Sequence, residues 1–362
     1  MADFDSEARI AGDLDAVGRA ISHELGGRLR ALLLVGGYAR GEGSMVMRNG
    51  RLSPYNDYDF MVVVSGWRSV RKKLATLSHE WTGKLGVEVE LSPLSENSLA
   101  RLPRTLFWLD VSLGGYELVA GDQQIVAELR NLTPRDIPLE ECGRLLANRA
   151  VGLALSNLKS TDNDYRKARH AHKAVLACGD ALLLAADHYQ STLALRLEAI
   201  QRFESAPYVG MWLVAAYHDA VEFRKRPDLW QPAGGDINTW YETTREMISI
   251  QHLRFESWRA GAPTNVAAFA SWKGRLYPEL PDVRPVGTVV SSLRAVAKRE
   301  ASLFPYLGHI RERLARIAVA LAYGHQNPAS RGVAARLLAL RTSEPSDDDL
   351  RRALARLVSR GG

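Results

Sequence analysis

Strand-forming runs occur only in the first 131 residues of this 362-residue chain, and that confinement sets what it can fold into. Arg30–Val35 is a short apolar run ending at Gly36-Gly37, and Tyr58–Val64 is a Val-rich run with Asp57 and Asp59 at its start. Val87–Leu91 reads Val, Glu, Val, Glu, Leu, the alternation of a strand with one polar face. Helical periods separate them. Residues 7–25 place Ile10, Leu14, Val17, Ile21 and Leu25 on one face, and residues 68–84 also read as a helix. Gly114-Gly115 precedes a fourth short strand, Tyr116–Ala120, and Gly121-Asp122 caps a further helix before the mixed region closes near Asn131.

After Thr133-Pro134 the pattern changes. Apolar-periodic segments near 138–160, 164–189, 191–204, 207–225, 237–260 and 304–323 carry no strand signal. Pro-containing stretches at 226–235 and 278–286 read as loops, and Asp347–Arg360 as a last helix capped around Ser346. The expected architecture is an α+β (mixed α/β) domain over residues 1–131 with a short mixed sheet, followed by an all-α helical domain over 132–362.

Hydrophobic residues make up 46% and charged residues 24%, a balance that supports buried cores and excludes a disordered chain. The acidic start lacks a basic segment followed by an apolar one, and no apolar run approaches the roughly 20 residues that cross a bilayer. Cys142 and Cys178 form no metal-ligand or disulfide pattern. These features point to the cytoplasm, with no membrane partner; oligomeric state is not legible. From Asp282 onward there are 14 Lys or Arg against 7 Asp or Glu, a local +7 that leaves −1 for the rest of the net +6. Such a tail can attract RNA, although an Arg-rich solvated helix face is the commoner reason for one.

The chemistry concentrates in three places: Gly36-Gly37-Tyr38-Ala39-Arg40, Asn56-Asp57-Tyr58-Asp59, and Val87-Glu88-Val89-Glu90. Side chains alternate along a strand, so Asp57 and Asp59 share a face with Cα atoms roughly 6–7 Å apart. Two such carboxylates suit Mg²⁺ or Mn²⁺, hard cations that take oxygen ligands and complete their shell with substrate phosphates. A third carboxylate on a neighbouring strand, Glu88 or Glu90, would complete a site for two ions about 3.5–4 Å apart. Gly36-Gly37 allows backbone N–H groups to approach a triphosphate, and Arg40, one turn on, can reach a phosphate oxygen.

The order of these motifs resembles the nucleotidyltransferase superfamily that includes DNA polymerase β, the kanamycin nucleotidyltransferases and the CCA-adding enzymes, over about the first 120 residues. Its pattern is an apolar strand ending in Gly-Gly or Gly-Ser, a helix, a strand bearing Asp-x-Asp, and a later strand with one acidic residue between apolar ones. The resemblance implies that Gly36 and Gly37 hold the β- and γ-phosphates and that Asp57 and Asp59 coordinate metal. It implies that Glu88 is the third carboxylate, near the acceptor hydroxyl, with Glu90 as the alternative. It further implies transfer of a nucleoside monophosphate from a nucleoside triphosphate, ATP being the favoured donor, with release of pyrophosphate. A small-molecule acceptor is favoured over RNA; an RNA-directed enzyme and a degenerate binding or antitoxin-like module are the alternatives. Two departures stand out. Asp57 follows Gly37 by 20 residues, with Met45–Pro54 as an inserted loop, and Gly37 and Asn56 stand where many members have Ser.

Taken singly, each motif has an ordinary reading. Asp-x-Asp is more often a turn or solvated face, Glu88 and Glu90 suit the exposed side of a half-buried strand, and Arg40 suits a helix surface. Their combination in order is what favours a metal site. Arg166 and His172 echo the spacing of helical HEPN ribonucleases, but one such match in an Arg-rich chain carries little.

Overall fold

The computed structural model of the chain describes residues 2–48, 51–127, 129, 131–158, 164–203, 210–278, 310–338, 340, 342 and 344–361. Two compact units emerge. The first comprises Met1–Pro138, Ala186–Tyr208 and Val221–Trp230; the second comprises Leu139–Ala185, Val209–Ala220 and Gln231–Gly362. The boundary expected at 131/132 therefore lies at 138/139, and two later segments expected in the helical domain belong to the first unit.

The first unit begins with α1 (Ala2–Leu25), β1 (Leu29–Val35), the short turn of helix α2 (Gly36–Ala39), β2 (Met45–Arg48) and β3 (Arg51–Pro54). It continues with β4 (Tyr58–Val64), α3 (Trp67–Leu85), β5 (Val89–Ser95), α4 (Leu106–Ser112), β6 (Tyr116–Gly121) and α5 (Gln123–Ala127). Four strands form one mixed sheet in the order β5-β4-β1-β6. β1 is antiparallel to β4 and β6, while β4 and β5 run parallel. This is the expected short mixed sheet. The Met45–Pro54 segment is a hairpin rather than a loop, with Met45 paired to Pro54 and Arg48 to Arg51. Asn-Gly at positions 49–50 between strand-formers is the sequence signal for that connection.

The apolar stripe of α1 and one face of α3 cover one side of the sheet. Leu14, Val17, Ile21 and Leu25 from α1 and Val70, Leu74, Leu77 and Trp81 from α3 join Leu32, Leu34, Tyr58, Phe60, Val62, Val64, Val89 and Leu91 in a single cluster. Each such side chain taken from water contributes about 1.5–3 kcal/mol. The Tyr58 hydroxyl, buried within the cluster, donates to Asp13 at 3.1 Å and so keeps a polar partner. Because neighbours on a strand point oppositely, burying Tyr58 and Phe60 sends Asp59 to the other face.

The second unit is helical throughout its described residues: α6 (Leu139–Asn157), α7 (Asp164–Ala185), most of α9, α10 (Ile237–Ala260), α11 (Val266–Ser271), α12 (Ile310–Gly324), α13 (Pro328–Leu337) and α14 (Asp347–Gly361). Between them in sequence, α8 (Leu193–Gln201) and the last turn of α9 (Gly210–Lys225) return to the first unit. Helices α11 and α13 were not among the expected segments. Residues 279–286 of the expected loop and 304–309 of the expected helix lie outside the described residues. Every residue from Ile317 to Ala322 is fully buried, so this stretch of α12 is apolar all round and lies inside the unit. His172, whose spacing from Arg166 echoes a ribonuclease signature, is a core residue packed at a tilt against Trp240 with ring centroids 4.8 Å apart. No helix among the described residues is long and apolar enough to cross a membrane.

Polar groups are also buried here. Glu312 accepts the backbone N–H groups of Leu276 at 3.1 Å and Tyr277 at 2.7 Å, and Arg259 donates to Glu256 at 2.5 Å. Burial pushes the Glu256 carboxyl from 4.5 up to about 7, outweighing the opposing pull of Arg259. Burial pushes His172 and His252 down from 6.5 to about 3. The signs oppose. The unfolded chain protonates the histidines first, so their contribution is present above pH 6.5 and is lost as pH falls toward 3. The folded chain protonates Glu256 first, so its contribution is present below pH 4.5 and is lost as pH rises through about 7. Between pH 7 and 5 the Glu256 gain offsets only about half of the roughly 4 kcal/mol that these two histidines lose. Glu256→Gln removes the opposing part, and its stability, followed by urea unfolding across that range, is expected to fall about 4 kcal/mol.

Candidate functional site

β1 ends where the chain must turn sharply, and Gly36 makes the turn at φ +75°, a conformation that side chains other than glycine rarely adopt. The register then brings the aspartates to it. Val35 pairs with Asp59 across β1 and β4, and Asp59 pairs with Glu90 across β4 and β5, so these three lie in one row on the same face of the sheet. The Asp59 carboxylate rests against the Gly36 backbone: a Cβ built on Gly36 would lie 2.6 Å from Oδ2 of Asp59.

Asp57 is two residues before Asp59, half-buried, immediately ahead of β4. Glu88 lies level with it, since the Tyr58 N–H donates to the Glu88 carbonyl at 2.9 Å just before the β4–β5 ladder begins. Glu88 and Glu90 are both exposed, while Val87, Val89 and Leu91 between and around them are buried. The two glutamates differ in surroundings. Glu90 accepts from the Ser92 hydroxyl at 3.0 Å, further along the strand, whereas Glu88 stands at the Asp57 end.

Arg40 is held by two carboxylates. Its guanidinium donates to Glu42 at 3.0 Å and to Asp110 at 3.2 Å. Burial alone would lower its pKa, but Asp110 and Glu42 outweigh burial and hold it above the ordinary arginine value. Arg196, 3% exposed, donates to the same Asp110 carboxylate at 2.7 Å, as does the Tyr189 hydroxyl at 2.8 Å. Glu42 in turn accepts the backbone N–H of Leu193, the first residue of α8, at 2.6 Å. A carboxylate at that position satisfies a helix donor and complements the helix dipole.

A different arginine lies at the glycines. A Cβ on Gly37 would collide with the Arg224 guanidinium, from the last turn of α9. Ser44, 2% exposed, ties the parts together: its carbonyl accepts from the Tyr38 hydroxyl at 2.9 Å, its N–H donates to the Asn56 side chain at 3.4 Å, and its hydroxyl donates to the Arg224 carbonyl. Sequence reasoning missed Arg224, Ser44, Asp110 and Arg196. No spacing rule marks Arg224, which stands 187 residues after Gly37, or Arg196 among the chain's many arginines.

Asp57 and Asp59 offer oxygen donors, which is what Mg²⁺ or Mn²⁺ takes, and one or two carboxylates completed by phosphate oxygens is the usual Mg²⁺ arrangement. The donor set therefore fits the ion. Among the described residues, no group of three or more His, Cys, Asp or Glu side chains is gathered closely enough to hold a metal by itself. No protein-family model, curated protein or solved structure matches the chain.

Two substitutions test this geometry. Gly36→Ala puts a Cβ at a left-handed position and against Asp59, and is expected to cost about 1–3 kcal/mol in chemical denaturation. Asp110→Ala leaves Arg40 and Arg196 without their shared carboxylate, and is expected to cost about 3–5 kcal/mol by the same measurement.

Proposed function

We propose that the chain is a metal-dependent nucleotidyltransferase that moves a nucleoside monophosphate from a nucleoside triphosphate to an acceptor hydroxyl. The observation that carries this reading is the placement of the Asp59 carboxylate against the Gly36 turn, in one sheet row with Glu90 and two residues from Asp57. A turn whose backbone is bare of side chains, flanked by carboxylates, brings together a place for phosphates and donors for a cation.

Asp57 and Asp59 would hold Mg²⁺ or Mn²⁺ together with the triphosphate oxygens. The bound ion supplies charge neutralisation at the α-phosphate and the leaving oxygens. The β- and γ-phosphates would lie beside the Gly36-Gly37 turn, whose side-chain space is taken by the Asp59 carboxylate and the Arg224 guanidinium. Glu88, level with Asp57 and exposed, takes the proton of the acceptor hydroxyl as its oxygen attacks the α-phosphorus. One phosphorus–oxygen bond forms, the bond to the β-phosphate oxygen breaks in line, and pyrophosphate leaves.

A small-molecule acceptor suits the chain better than RNA. Four of the described arginines near the C-terminus are paired within their own unit: Arg331 with Asp347 at 2.6 Å, Arg351 with Asp348 at 2.8 Å, Arg352 with Asp349 at 2.9 Å and Arg316 with Glu312 at 3.1 Å. Arginines already matched to carboxylates present little net positive field to a nucleic acid.

The test is pyrophosphate release from each of the four nucleoside triphosphates with Mg²⁺ or Mn²⁺, with and without fractions of small metabolites and of RNA. Release is expected to need a small-metabolite fraction and to fall about a hundredfold or more in Asp59→Ala with the fold intact. Undiminished release from Asp59→Ala would overturn the assignment. Dependence on the RNA fraction, with steep weakening by salt, would move the acceptor to RNA.

A further inference from the structure

We propose that Arg224 is the cation that binds the polyphosphate of the nucleotide, reaching over Gly37 into the site that Asp57 and Asp59 flank; this rests on the nucleotidyl-transfer reading.

Three features of the first unit converge on this. The guanidinium occupies the space that any side chain at position 37 would need, so the second glycine serves an arginine's close approach to the backbone. The arginine is also held from both sides of its own backbone. Its carbonyl accepts the Ser44 hydroxyl, and the preceding Phe223 packs edge-on against Tyr55 at 6.3 Å and Trp230 at 5.4 Å between ring centroids. Finally, the guanidinium and Asp57 share surroundings: the buried Tyr38 hydroxyl, pushed up to about 12 chiefly by burial, is pulled down by the charge of Arg224 and pushed up by that of Asp57.

The chemistry follows from the donor count. A guanidinium carries five N–H donors in a planar fork, enough to serve a carboxylate and a phosphate together, and the fork matches two phosphate oxygens at once. A triphosphate entering beside two carboxylates meets repulsion that one divalent ion only partly relieves, and a fixed cation at the glycine turn lowers that repulsion without moving.

The experiment is titration calorimetry of the full chain with inorganic tripolyphosphate and with each nucleoside triphosphate, in the presence of Mg²⁺, for wild type, Arg224→Gln, Arg224→Lys, Gly37→Ala and the Arg224→Gln/Gly37→Ala double variant. Arg224→Gln is expected to weaken binding by about tenfold to a hundredfold, and Arg224→Lys, which keeps the charge but not the fork, by less. Gly37→Ala, which displaces the guanidinium, is expected to weaken binding in its own right, and the double variant to be no weaker than the worse single one. If wild type binds a nucleoside triphosphate and folded Arg224→Gln binds it equally well, Arg224 is not the phosphate ligand, while nucleotidyl transfer stands. If wild type binds neither tripolyphosphate nor any nucleoside triphosphate, both readings fall. Should Arg224→Gln fail to fold, Arg224→Lys, which leaves the glycines unchanged, decides: wild-type affinity in that variant overturns the assignment, and weakened affinity supports it.

Discussion

The pairing of Val35 with Asp59 is the constraint on which both the core and the candidate site of the first unit depend. A strand has a side-chain period of two, so a slip of one residue exchanges its faces. Slipped, β4 would bring Tyr58 and Phe60 out of the cluster beneath α1 and α3 and drive Asp59 into it, stranding a carboxylate among leucines and valines. The apolar cost of that error is large because Tyr58, Val62 and Val64 are fully buried in the native register. Packing on one face of the sheet thus places the acidic residues on the other, with no separate interaction needed to aim them.

A second constraint explains why the first unit draws in chain that follows it by dozens of residues. Arg40, Glu42, Asp110, Tyr189 and Arg196 form a mostly buried set in which the charges alternate in sign. Removing charged groups from water is costly unless each finds partners, and here every member has at least one. Arg196 additionally donates to the carbonyl of Gln190 at 2.7 Å and lies 4.1 Å over the Tyr189 ring. No single segment could satisfy this set alone. The segment from Ala186 to Tyr208 is therefore part of the first unit, though its helical periodicity alone assigns it to the helical half.

That distinction marks what the sequence makes legible. Local signals located β1, β4 and β6 to within a residue or so, because alternation and Gly-Gly punctuation act over a few residues. β5 begins two residues later than the Val-Glu-Val-Glu run suggests, since Val87 is already packed in the core before the ladder starts. The carboxylates and glycines of the candidate site were legible for the same local reason: spacing within a strand decides a shared face. The partners of Arg40 were not legible, because helical spacing says where a side chain starts and not which carboxylates, here Glu42 and Asp110, will hold it. Arg224 and Asp110 left no trace, since each joins the site through tertiary contacts that no periodicity encodes.

The site's geometry is held by Ser44 more than by the glycines themselves. A turn of two glycines has high conformational freedom in the unfolded chain, so fixing it is entropically costly and needs compensating contacts. Those contacts meet at one residue. Ser44 accepts the N–H of Tyr55 at 2.9 Å and the hydroxyl of Tyr38, and it donates to Asn56 and to the carbonyl of Arg224. Glu42 closes the turn from the same stretch by donating its N–H to the Gly37 carbonyl at 2.8 Å. One buried serine therefore couples the glycine turn, the segment leading into Asp57 and the backbone of Arg224. Carboxylates that repel one another can be kept close only by a frame stiff enough to resist their separation, and a frame set before any cation or substrate arrives leaves little reorganisation to be made during the reaction.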